Sequence, residues 1–110
     1  MLFAKRLREG IRRGRTRCTV RIWASARVTV GGRYKMDEGH VVVDSIEQIR
    51  RSQITRDLAR ESGFDSVADL LAVARHGRGR NVYLIRFHYL APGAWDTPGT
   101  HASVPNAWKR

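Results

Sequence analysis

Between Ile11 and Cys18 the spacing of apolar residues changes from four to two, and this change constrains the fold more than any other feature of the chain. Phe3, Leu7 and Ile11 recur every fourth residue between charged positions, which marks an amphipathic helix ending near Gly10 or Gly14. From Cys18 the period is that of a strand, with Cys18, Val20, Ile22 and Ala24 facing one side and Thr19, Arg21 and Trp23 the other. A helix therefore hands over to a strand through the cation-rich turn Gly14-Arg15-Thr16-Arg17. The apolar row is the core face. The other row carries a hydroxyl, a fixed cation and an aromatic plane, groups suited to hydrogen bonding, phosphate pairing and base stacking. Read more plainly, the same row is a solvated strand face with one amphipathic Trp.

Further along, Val28 and Val30 suggest a short strand before the turn Gly31-Gly32. Tyr34 and Met36 begin another strand, Asp37-Glu38-Gly39 turns the chain, and His40 to Ile49 has the β-branched density of a long, partly buried strand. Thr55 as a cap, Asp57 in the first turn and Gly63 past the end predict a short helix over 56–62. Ser66 with Asp69 repeats the device for a helix that buries Val67, Leu70, Leu71 and Ala74 and stops at His76-Gly77. The basic, glycine-rich loop from Arg75 to Arg80 leads into a closing strand, Val82 to Leu90. It holds no Walker or dinucleotide pattern and reads as a flexible connection whose glycines would let backbone approach a phosphate. Residues 91–110 read as an irregular tail, in which Trp95 and Trp108 are unusual enough to suggest an anchor on the domain or a partner. The element order gives an α+β fold built on a small, mostly antiparallel barrel or sheet.

A chain of 110 residues with 42% hydrophobic content suits one domain. Its 21 Lys plus Arg against 10 Asp plus Glu leave a formal charge of +11, a bias towards polyanions that makes nucleic acid the first partner class to consider. Nearly all of the cations are Arg, whose planar fork both pairs with phosphate and stacks on bases. No apolar run reaches 18 residues and no signal peptide is evident, so a cytoplasmic protein without a membrane partner is expected. Cys18 has no partner for an internal disulfide and reads as a small buried hydrophobe. The four histidines and one cysteine lack metal-ligand spacing, and neither a metal nor another cofactor is expected.

This order of motifs resembles the activating-signal-cointegrator homology (ASCH) domain of the PUA-like superfamily. That family carries an amino-terminal helix, a G-x-K-x-x-T-x-R signature entering the first barrel strand, a central strand ending in a Thr-capped helix, and a closing strand of the type v-x-x-i-x-F. The matching residues are Gly14, Thr19 and Arg21 in the signature, Thr55, Ala59 and Gly63-Phe64 around the helices, and Val82, Ile85, Phe87 and Tyr89 at the end. The resemblance covers the chain from Phe3 to Leu90 and implies a PUA-like barrel of five or six strands over residues 1–90. It further implies a cleft for RNA or a modified nucleoside, with ribonuclease or N4-acetylcytidine amidohydrolase activity in some members. In the amidohydrolase pattern the signature Lys acts with the signature Thr and a Glu on the helix. Here Thr16 stands where that Lys belongs, and Arg60 falls at the acid position with Glu61 one place along.

That departure bears on the chemistry. A Thr hydroxyl is a weak nucleophile until a base takes its proton, and Arg15 or Arg17 cannot serve because a guanidinium stays protonated. Thr19 is the one candidate catalytic residue. Arg21 with His40, His76 or His88 supplies the raw material for acid-base cleavage of RNA, although no spacing brings two of the histidines together. The expected function is an RNA-binding module for single-stranded or structured RNA. Arg15, Arg17 and Arg21 would hold phosphate, Arg12 and Arg13 would add positive field from the helix, and Thr19 and Trp23 would engage a base. An RNA-processing enzyme on the same cleft is the alternative.

Overall fold

The computed structural model describes residues 1–75 and 77–94. Helix α1 spans Lys5–Arg12 and buries Leu7 and Ile11. Phe3 precedes it, ahead of the N-cap Ala4, and sets its ring 5.4 Å from that of Phe87. Gly14 then turns the chain at a φ of 76°, a left-handed conformation that glycine adopts without steric cost.

Four strands follow: β1 (Cys18–Trp23), β2 (Arg33–Met36), β3 (Gly39–Ile49) and β4 (Asn81–Leu90). They pair antiparallel in the order β1-β4-β3-β2 and curl into a half-barrel. The closing strand β4 is inserted between β1 and β3, where its apolar run is flanked on both edges: Leu84 lies opposite Val20, and Ile85 opposite Ile46. The β3–β4 register shifts between Val43 and Ser45, and Asp44 at that irregularity pairs with Nδ1 of His88 at 2.9 Å.

The connection between β3 and β4 carries a single 3₁₀ turn (Arg51–Gln53) and two short helices, α2 (Arg56–Glu61) and α3 (Val67–Ala74). Both helices begin as the capping residues dictate. Thr55 Oγ1 accepts the Leu58 N–H at 3.1 Å, and Ser66 Oγ accepts the Asp69 N–H at 3.1 Å; each cap is worth about 1 kcal/mol. One core cluster joins Leu7, Ile11, Leu58, Phe64 and Leu70 to the apolar row of β1, and a smaller one gathers Trp23, Val28, Val43, Tyr83 and Ile85.

The strand expected at Val28 to Val30 does not form. Residues 24–32 run as a loop in which Val28 is buried beneath Trp23 and Val30 is 65% exposed. The Thr29 N–H, which a strand partner would have taken, is donated to the Tyr34 hydroxyl at 3.0 Å. The described residues thus form four strands, one or two fewer than the resemblance implies. No helix among them is long and apolar enough to cross a membrane. His76, Trp95, Trp108 and the tail from residue 95 onward lie outside the described residues.

Candidate functional site

The alternation read in β1 is real, but both of its rows are buried. Cys18, Val20 and Ile22 pack into the larger core. The Cys18 thiol lies 3.4 Å from Ser62 Oγ, and burial pushes its pKa up, against the opposing pull of that hydrogen bond and of Arg86. Thr19 and Arg21, each 7% exposed, are covered because the segment ahead of α1 folds across them. Arg21 donates from Nε to Thr19 Oγ1 at 3.2 Å and from Nη2 to the Leu2 carbonyl at 2.5 Å, and its guanidinium sits 5.0 Å from the centroid of Phe3. Burial pushes the Arg21 guanidinium down to about 10, so it remains a cation at neutral pH.

These two residues line a cavity of about 340 Å³ at the outer edge of β1. Leu2, Phe3 and Ala4 form one wall and Phe64 with Val73 another, while Arg8 from α1 contributes its cation. Arg8 is itself held in place: its Nε donates to the Phe3 carbonyl at 3.1 Å and its Nη1 to Asp37 at 3.3 Å. The result is a mostly apolar concavity with a hydroxyl, the Arg21 cation and the Asp37-paired Arg8. Thr19 accepts from Arg21 and keeps its own hydroxyl hydrogen to donate. The described lining contains no carboxylate and no imidazole to act as a general base beside Thr19.

The other expected residues distribute differently. Trp23 is 3% exposed, its ring 6.0 Å from that of Tyr83 and covered by Arg27 at 5.9 Å, so it offers no open face to a base. Arg12 pairs with Asp37 across the β2–β3 turn, and Arg13 pairs with Glu9 at 3.2 Å. Arg15 is exposed on the α1–β1 turn, and Arg17 donates to the Gly14 carbonyl at 3.0 Å with its side chain in solvent. Thr16, in the place of the family Lys, is buried against Gly10 and does not line the cavity. Arg60 and Glu61 are exposed on α2. His88 pairs with Asp44 of β3 and does not line the cavity.

Sequence reasoning missed Arg8 and the wall formed by Leu2 and Phe3. The signal was present in the pair Leu2-Phe3, two large apolar residues ahead of the helix, but helical spacing absorbed Phe3 into the stripe of Leu7 and Ile11. Among the described residues no group of His, Cys, Asp and Glu is arranged to hold a metal ion. No family model matches the chain, and neither does any curated protein or solved structure.

Proposed function

We propose that the chain is an RNA-binding module in which the β1-edge cavity receives a base or nucleoside and the exposed arginines of the α1–β1 turn hold the adjoining phosphates. One observation carries the reading: Thr19 and Arg21 are fastened together inside a concavity that also holds the Arg8 cation. A hydroxyl and fixed positive charge in a mostly apolar hollow suit a planar, polar ligand with acceptor groups at its edge. The formal charge of +11 supplies long-range attraction to a polyanion. Helix α1, the curled antiparallel sheet and the two short helices ahead of β4 are in keeping with the ASCH resemblance, and the reading treats the fold as an open PUA-like barrel. Phe64 lines the cavity as an apolar wall, and neither it, 5% exposed beneath Arg6 at 5.2 Å, nor Trp23 is assigned a stacking role.

The test is binding of labelled single-stranded RNA to Arg21→Met and Thr19→Val, with folding followed by circular dichroism. Arg21→Met also takes the donor away from Thr19 Oγ1 and the Leu2 carbonyl, which costs about 1–3 kcal/mol, so affinity is compared where the variant retains the parent's folded signal. Loss of a charged partner lowers affinity about 10-fold or more, and loss of the hydroxyl about 3- to 10-fold. For the parent protein the slope of log affinity against log salt is about −3, corresponding to roughly four phosphates. Unchanged affinity in both variants removes the cavity from the interaction. Turnover of RNA or of acetylated cytidine that disappears in Thr19→Val moves the reading to an enzyme on the same cleft.

A further inference from the structure

The antiparallel topology brings three connectors to the end of the sheet opposite the α1–β1 turn. Trp23 at the end of β1 lies opposite Asn81 at the start of β4, and Ile49 at the end of β3 lies opposite Val82. The loop leaving β1, the loop leaving β3 and the loop entering β4 therefore emerge side by side. They carry Arg27, then Arg50 and Arg51, then Arg75, Arg78 and Arg80. All six side chains are exposed, and none forms an ion pair among the described residues. Residues 24–32, 50–55 and 75–80 contain no Asp or Glu.

The connectors are fastened to one another. Asn81 Nδ2 donates to the Ala24 carbonyl at 2.6 Å, and Gln48 Nε2 donates to Asn81 Oδ1 at 3.3 Å. Arg75 bridges in parallel to Ile22, drawing the start of the third loop along the edge of β1. Gly79 is pressed so closely on the Trp23–Ala24 peptide that a Cβ there would fall 2.0 Å from the Ala24 nitrogen. Only glycine permits that approach, and it keeps Arg78 and Arg80 beside the first loop. Arg27 is held over the Trp23 ring and lines a second cavity, of about 210 Å³, with Arg21, Trp23 and Val28.

We infer that this three-loop arginine cluster is a second anion-binding surface that grips the phosphodiester backbone of a nucleic acid. Like charges gathered on a held framework repel one another, and a polyanion relieves that repulsion by neutralising several at once. Arginine forks pair bidentately with phosphate oxygens, and six of them spaced over three loops match a ligand with repeated charges. The chemistry argues against other occupants. A lipid surface needs apolar side chains to insert and a protein partner needs an apolar centre, yet among the described residues the only large apolar side chain these loops expose is Val30. Among the described residues these loops present no exposed aromatic ring, and the exposed amide of Gln53 accepts the Arg50 N–H at 2.8 Å, so the contacts expected are with the backbone rather than with base edges.

The inference stands apart from the cavity reading, and one experiment separates them. Fluorescence anisotropy is measured across a salt series with labelled RNA of about 20 nucleotides, single-stranded DNA of the same sequence, and poly-glutamate. The proteins are the parent chain, the triple variant Arg27→Gln/Arg78→Gln/Arg80→Gln, and Arg21→Met. The triple variant should lose about 10- to 100-fold in affinity for RNA and DNA alike, with a salt slope shallower by about 2. Because the three side chains are exposed, its unfolding transition should coincide with that of the parent; if it shifts, Arg50→Gln/Arg51→Gln serves as the alternative pair. Unchanged RNA affinity and slope overturn the inference, even where Arg21→Met weakens binding. Loss confined to RNA overturns a backbone site, and an equal loss with poly-glutamate reduces the surface to unfocused charge.

Discussion

The two ends of the half-barrel are both rich in arginine, yet they use it in opposite ways. At the α1–β1 end part of the charge is paired from within: Arg8 and Arg12 converge on Asp37 in the β2–β3 turn, and Arg13 pairs with Glu9. At the other end Arg27, Arg50, Arg51, Arg75, Arg78 and Arg80 share three loops with no acid on any of them. The first arrangement docks a helix on a sheet and leaves Arg15 and Arg17 facing solvent. The second holds like charges together with no ion pair among the described residues to relieve them. Position relative to acids therefore tells more about a basic chain than its count of arginines does, because exposed pairs contribute little to stability while unpaired clusters contribute strongly to polyanion binding.

That contrast can be broken at its structural base first. Trp23→Ala removes the ring that packs on Tyr83 and carries Arg27, and should lower unfolding stability by about 3–5 kcal/mol in chemical denaturation. A small loss would mean that Trp23 is a surface side chain after all and that the framework under the loop cluster is loose. Gly79→Ala probes the seam between two of the loops. A methyl group has no room against the Trp23–Ala24 backbone, so stability should fall by about 1–3 kcal/mol. RNA affinity should fall with it as Arg78 and Arg80 move away from Arg27. If affinity holds while stability drops, the loops act independently.

The smallest effect sharpens the comparison from the other side. Asp37→Asn keeps a residue type that tolerates the positive φ of 53° found there and removes the negative charge shared by Arg8 and Arg12. Stability should change by less than about 1 kcal/mol, since these are surface pairs. Polyanion affinity should rise about 2- to 5-fold with a steeper salt slope, because two arginines become available. No change in slope would show that the α1–β1 end takes no part in binding whether its cations are paired or not.

Much of the secondary structure was legible because it depends on neighbours in the chain. Thr55 and Ser66 cap their helices through their own side chains, and the two-residue period of Cys18 to Trp23 survives unchanged. The short alternation at Val28 and Val30 misled, because a strand needs a partner and Tyr34 and Trp23 occupy the places where one would lie. The site was half legible. Thr19 and Arg21 do share a face and do meet, but their burial is decided by Leu2 and Phe3, and the exposure expected of Trp23 is lost to Tyr83 from the opposite end of the chain.

The sequence by itself determined the helix, the four principal strands, the caps and the surplus of positive charge, all of which follow from local spacing, side-chain hydrogen bonding and composition. Only the tertiary structure decided which arginines are neutralised, which is buried and which stand together. Those outcomes depend on insertion of β4 between β1 and β3, which makes neighbours of loops lying dozens of residues apart. Electrostatic energy depends on distance in space and on burial, and neither quantity is written in the order of the residues.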